Sequence, residues 1–244
     1  MPKSIFLAGA SGAVGRRLVP LLVRAGHRVT GTTRDPAKAE ALRAAGATPA
    51  AVDVYDLSAL KDAVQMAAPE VVIHQLTDLS LLADPARLGE ALERNARLRI
   101  EGTANLVAAA LFSGARRLIA QSISFVYAPG KQPYAENAPL NRTSDARWSR
   151  TVEAVETLER EVTQTPGLHG IVLRYGHFYG PGTGRERAAA PPKGAVHVDA
   201  AAHAALLAVE RGRPGIYNIA EDDGDVSIEK ARAELGFDPG FRIE

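Results

Sequence analysis

The residues with the clearest chemical potential are three glycines at a spacing of three, in Gly9-Ala10-Ser11-Gly12-Ala13-Val14-Gly15. They follow an apolar run, Ser4 to Ala8, and lead into Val14, Leu18, Leu21, Leu22 and Ala25 at helical spacing. In that setting each glycine has its own task. Gly9 permits a tight turn, Gly12 lets a diphosphate approach the backbone with no Cβ in the way, and Gly15 allows the helix to pack closely on the strand. The amide groups opening the helix then face the anion, so Ser11, Ala13 and Val14 join the expected contacts. The expected chemistry is binding of an adenine dinucleotide.

The second β-rich run, His27 to Thr33, ends in Thr32-Thr33-Arg34 with no acid before Asp35. A dinucleotide site usually presents a carboxylate to the ribose hydroxyls there, whereas a guanidinium suits a 2′-phosphate. NADP is therefore the expected cofactor and NAD the alternative; a plain surface role for Arg34 stays open. Asp53 can accept from the adenine amino group or be an ordinary turn aspartate. For proton transfer the chain offers Tyr127, Tyr134, Tyr175, Tyr179 and His177 near segments that reach the cleft. Each has a bland reading, a packed tyrosine or a solvated histidine.

Other chemistries find no support. There are no cysteines, which removes disulfides, thiolate metal sites and thiol nucleophiles together. Neither His-Glu-x-x-His nor Gly-x-Ser-x-Gly occurs, so no metal site and no nucleophile elbow are expected. Basic and acidic residues number 29 and 28, which leaves no electrostatic footprint for nucleic acid or an anionic membrane. A small-molecule substrate is the expected partner. The start, MPKSIFLAGASG, fits neither a signal peptide nor a membrane span, and a cytoplasmic location is expected.

The elements that must position these groups alternate. Strands are predicted at 4–8, 27–33, 48–52, 71–73, 118–122, 170–174 and 215–220. Helices are predicted between them, including a long one from Arg87 to Ser113 with an interruption near Gly102. Others run over Thr151 to Thr165, over Ala200 to Arg211 capped by Asp199, and over Ser227 to Gly236. The pattern predicts an α/β fold, a Rossmann-like doubly wound parallel sheet with ligands beyond the strand carboxyl ends. Residues 1–175 form the expected core, and 176–244 a reduced C-terminal substrate-binding part packed on it.

Further motifs, VDVYD at 52–56, VVIHQLT at 71–77, EGTANLVAAA at 101–110, QSISFVYAPG at 121–130 and LRYGHFYGPG at 173–182, together resemble the extended and atypical short-chain dehydrogenase/reductases, the NAD(P)-dependent epimerases and dehydratases. The resemblance implies cofactor contacts from Asp53, Val54, Leu76, Thr77 and, after Arg174, Tyr175 and His177. It also implies a Tyr-x-x-x-Lys pair that here is missing. The corresponding stretch, Asp145 to Glu156, offers only Trp148 with Val152, or Thr151 with Val155. The family serine falls on Ile123, flanked by Ser122 and Ser124, and the family asparagine falls on Arg99. The catalytic candidates are thus Ser122, Ser124, Tyr127 and His177. The leading expectation is an oxidoreductase or epimerase-like enzyme with an atypical proton donor. The alternatives are a non-catalytic redox sensor and an isomerase or lyase without net redox turnover. By analogy the two long helices can pair into a homodimer.

Overall fold

A computed structural model describes residues 1–78, 81, 84–186 and 191–243 of the 244. The chain opens with β1 (Ser4–Ala8), α1 (Gly15–Arg24), β2 (Arg28–Thr32), α2 (Pro36–Ala44), β3 (Thr48–Ala50), α3 (Leu57–Ala67) and β4 (Val71–His74). Then come α4 (Leu88–Arg97), a π-helical turn at Leu98–Gly102, α5 (Thr103–Ser113), β5 (Arg117–Ile123), α6 (Ala146–Gln164) and β6 (His169–Tyr175). The last elements are β7 (His177–Tyr179), β8 (Ala195–His197), α7 (Val198–Ala208), β9 (Gly215–Ile219) and α8 (Glu229–Leu235).

Seven parallel strands form one sheet in the order β3-β2-β1-β4-β5-β6-β9, and β7 pairs with β8 separately. The order reverses between β1 and β4, and ligands of such sheets sit beyond the strand ends at that switch. Period-two alternation sorts the side chains. Ile5 and Leu7 pack with Leu18, Leu22, Tyr175 and Tyr217 on the face of α1 and α7. Phe6 and Ala8 pack with Leu60, Leu106, Leu158 and Val172 on the face of α3, α5 and α6. Burial of each large apolar side chain stabilises the sheet by roughly 1.5–3 kcal/mol. The part after residue 175 contributes β9 to this same sheet and α7 to the core beside α1.

Several helix ends differ from expectation for local reasons. The sixth helix begins at Ala146, not Thr151, because the Asp145 carboxylate accepts the Trp148 amide at 2.7 Å and caps a polar first turn. The seventh begins at Val198. His197 caps it through Nδ1, and Asp199 turns away to receive Arg17 Nε at 2.6 Å and the Ile243 amide at 3.1 Å. The long helix is interrupted as expected, by a π turn ending at Gly102. Gly114, at φ +80°, terminates it.

Candidate active site

A cleft of about 850 Å³ lies beyond the ends of β1, β2 and β4, with Gly9, Ser11 and Gly12 on its wall. Gly9 has φ +88°, and a Cβ there would sit 2.6 Å from the Gln75 carbonyl oxygen. At Gly15 a Cβ would sit 2.2 Å from Gly9 O, which fixes helix against turn. At Gly12 it would meet only Gly9 O, at 3.3 Å, so the space over this glycine is open to a ligand. The first turn of α1 has no side-chain cap and no acid, and among the described residues the amides of Ser11, Ala13 and Val14 have no acceptor. These free donors, the open face of Gly12 and the partial positive charge of the helix end fit a diphosphate. Ala13, Val14 and Gly15 sit behind the wall rather than on it.

On the second-strand side, Arg34 and Asp53 both line the cleft, with Arg34 Nη1 donating to Asp53 Oδ2 at 3.4 Å. Asp53 also accepts the Tyr55 amide at 3.0 Å, and Val54 is held by Asn105 Nδ2, which donates to its carbonyl at 2.9 Å. Asp35 and Lys38 lie on the same wall, with Lys38 Nζ 3.9 Å from Asp35 Oδ2, while the Arg34 guanidinium has Asp53 as its partner. Arg16 and Arg17, on α1, are engaged elsewhere, Arg16 with Gly182 O at 2.6 Å and Arg17 with Asp199. Sequence reasoning missed Tyr55 and Arg97, whose guanidinium carbon lies 4.0 Å from the Tyr55 ring centroid on the same wall. The aromatic residue inside VDVYD was the signal that could have found them.

Beyond β4, Leu76 and Thr77 line the cleft with Gln75. The Leu76 amide donates to His74 Nδ1 at 3.2 Å, so the proton is on Nε2, which donates to Thr103 Oγ1 at 3.2 Å. Burial, with Arg99 nearby, lowers the His74 pKa to about 4, and the ring is neutral at pH 7. Gln75 Oε1 is buried and has no partner among the described residues, an unmet acceptor beside the cleft. Its Nε2 donates to the Tyr175 hydroxyl at 3.3 Å, which itself donates to Ala201 O at 3.2 Å. Tyr175 is fully buried and absent from the wall, so the expected cofactor contact is corrected: the ring is core, and burial raises its pKa.

The catalytic candidates fare similarly. Ser122 is buried and donates to Glu159 Oε1 at 2.8 Å. Glu159 takes Arg174 through Nε at 2.7 Å and Nη2 at 2.7 Å. Burial works against the Arg174 charge, but the Glu159 bonds outweigh it and hold the guanidinium protonated. Arg174 Nη1 donates to the Tyr127 hydroxyl at 2.8 Å, and that hydroxyl donates to Asn218 Oδ1 at 2.6 Å. Burial raises the Tyr127 pKa. Ser122 and Tyr127 are thus corrected to members of a closed buried network, since both hydroxyl protons are spent inside the protein. Ser124 is buried, its amide bonded to Tyr175 O at 2.9 Å. His177 is half-buried and stacks on Phe125 with ring centroids 4.1 Å apart and 9° between planes. Burial lowers its pKa, with Arg185 adding to the effect. At the start of α6, Thr151 Oγ1 bonds Arg147 O while Val152 and Val155 are buried, so no side chain there exchanges a proton.

Among the described residues no acidic or histidine cluster could hold a metal, and no helix is long and apolar enough to cross a membrane.

The family model described as the NAD dependent epimerase/dehydratase family matches residues 5–192. A 3-diazoavenalumate denitrifying reductase from a Streptomyces species is 44% identical over 239 residues, 90% of this chain and 76% of that protein. The fold is similar to UDP-glucose 4-epimerase of Thermotoga maritima, solved with UDP-glucose, at TM-score 0.79 and 20% identity over 98% of this chain and 94% of the other. It is also similar to the Thermus thermophilus UDP-glucose 4-epimerase solved with NAD, at TM-score 0.76 and 20% identity over 98% and 94%. Further neighbours of this fold were likewise solved with NAD. The expectation of NADP is corrected accordingly: the similar structures hold NAD, and the arginine behind that expectation is paired with Asp53. The matched span, the parallel sheet and the 44% relative agree on one origin. The chain belongs to the NAD-dependent epimerase/dehydratase family, as an enzyme of divergent type that keeps the dinucleotide turn and has lost the tyrosine and lysine.

Proposed function

We propose that this chain is an NADH-dependent reductase whose substrate accepts hydride without a proton from the protein, an aryldiazonium ion that releases dinitrogen. The observation that carries this reading is an open glycine turn in a chain whose helix α6 contains neither tyrosine nor lysine in its first turns. A reduced carbonyl becomes an alkoxide and calls for a positioned acid. An aryldiazonium ion calls for none: the electron pair of a hydride makes the new C–H bond, and the C–N bonding pair departs with N₂. Reduced nicotinamide supplies that hydride when bound. The 44% relative is named for a denitrifying reduction of a diazo compound, which supports the choice of substrate class.

In this reading the turn from Gly9 to Gly15 receives the diphosphate, while Asp53 and Val54 border the adenine. Leu76, Thr77 and His177 face the reacting end, and the residues after 175 complete the substrate side of a core formed by 1–175. Because the network of Ser122, Glu159, Arg174 and Tyr127 is closed, its task is to hold the ends of β5 and β6 rigid under the reacting groups.

The test uses NADH deuterated at the nicotinamide C4 and a benzenediazonium salt as probe, with headspace N₂ and arene analysed by mass spectrometry. Protein-dependent N₂ and a deuterated arene are expected. An unlabelled arene, or reduction of simple aldehydes at a comparable rate, overturns the reading.

A further inference from the structure

The wall of the cleft changes character along its length. At the glycine turn the amides of Ser11, Ala13 and Val14 stand free for an anion. At the end beyond β2 and β3 four basic side chains line the wall, Arg34, Lys38, Arg94 and Arg97, and each is already paired with an acid. Arg34 has Asp53 at 3.4 Å, Lys38 has Asp35 at 3.9 Å, Arg94 has Glu90 at 2.5 Å and Arg97 has Glu101 at 2.7 Å. Matched charges exert little net pull on a phosphate, so this end suits an uncharged group.

Two flat groups meet at that end. The Arg97 guanidinium carbon lies 4.0 Å from the centre of the Tyr55 ring, and both residues line the cleft. Each is held from behind. Arg97, in the last turn of α4, donates from Nε to Glu101 Oε2 at 2.7 Å and from Nη2 to Glu101 Oε1 at 3.2 Å, a fork that fixes the plane of its guanidinium. Tyr55 follows β3 in a turn where its amide donates to Asp53 Oδ1 at 3.0 Å and the Val54 carbonyl accepts from Asn105 Nδ2 at 2.9 Å. The Arg97 side chain keeps 56% of its surface exposed. A guanidinium whose charge is met, and which is fixed against an aromatic ring, offers a flat surface to a further ring. Stacking of a base on such a surface is tolerant of which base it is.

We infer that Arg97, backed by Tyr55, is the surface on which the adenine ring of the dinucleotide stacks, and so a residue that sets cofactor affinity. This rests on the cofactor part of the reductase reading and deepens it by naming what holds the plane of the base. The edge of the base is left to Asp53 on the same wall.

The experiment is calorimetric titration with NAD, ADP-ribose and nicotinamide hypoxanthine dinucleotide. Uptake of NAD by the parent is measured first, and its absence overturns the cofactor reading together with the inference built on it. With uptake established, Arg97→Ala is expected to weaken all three ligands by one common factor, about fivefold or more, as lost base stacking implies. Arg97→Lys is expected to lose as much, because an ammonium keeps the ion pair with Glu101 but presents no plane. Tyr55→Phe is expected to bind like the parent, and Tyr55→Leu to share the loss. Parent-like NAD affinity in Arg97→Ala overturns the inference. Parent-like affinity in Arg97→Lys does the same, since charge or the tie to Glu101 is then what matters. A loss in Arg97→Ala that differs between the adenine and hypoxanthine dinucleotides also overturns it, because that marks contact with the edge of the base.

Discussion

Gly12 and Gly15 belong to one turn, yet the structure assigns them different duties, and replacing each by alanine separates them. A methyl at Gly15 would stand 2.2 Å from Gly9 O and 2.6 Å from Ala10 O, both backbone atoms that cannot step aside. Overpacking of this kind costs about 1–3 kcal/mol or more, which for a chain of this size lowers the melting midpoint by roughly 2–4 °C per kcal/mol. A methyl at Gly12 has one neighbour, Gly9 O at 3.3 Å, so Gly12→Ala is expected to melt within about 2 °C of the parent. The cost falls on the ligand instead. The new methyl occupies the approach to the amides of Ser11, Ala13 and Val14, and losing one or two charge-assisted bonds at about 1.5–3 kcal/mol each weakens NAD roughly 10- to 100-fold or more. Differential scanning calorimetry and NAD titration of both variants give the two numbers. A Gly12→Ala protein that binds NAD like the parent, or a Gly15→Ala protein that melts like it, refutes the assignment.

Three further outcomes follow from the buried polar groups. The His74 pKa is about 4 in the folded chain against the ordinary histidine value of 6.5, so unfolding takes up a proton between these limits. The contribution is constant above pH 6.5 and falls by roughly 3 kcal/mol toward pH 4. Urea unfolding at about pH 7.5 and about pH 4.5 should show a smaller acid loss in His74→Asn, and parallel curves would count against this linkage. Tyr127→Phe should retain turnover within a few-fold, because the hydroxyl is locked to Arg174 and Asn218. Glu159→Gln should lose about 3–5 kcal/mol of stability by stranding the buried Arg174 charge. A Tyr127→Phe protein that is stable but inactive would restore the tyrosine as a proton donor.

The parts legible in the sequence were those where one local pattern decides the geometry. The glycine spacing at 9, 12 and 15 marked the turn, and Asp53, Val54, Leu76 and Thr77 were reached through motifs at strand ends. What escaped depends on contacts distant along the chain. Arg34 read as a phosphate ligand because its neighbour Asp53 lies 19 residues away and is brought beside it only by the pairing of β2 with β3. Tyr127 and Ser122 looked free to react because nothing local shows that Glu159, Arg174 and Asn218 converge on them. Tyr175 points to the α7 face by the alternation of β6, but its partner there, Ala201 O, belongs to a helix that the sequence does not orient. The start of α6 was hidden in a polar stretch where only the cap at Asp145 carried the signal.

Asp199 receives both Arg17, two positions into the helix that opens on Gly15, and the Ile243 amide near the far end of the chain. It is 3% exposed. Chimaeras that graft the C-terminal portion of a relative onto this scaffold therefore have to import the basic partner on the first helix along with it. Otherwise a buried carboxylate loses a donor at the foot of the helix that opens from the glycine turn.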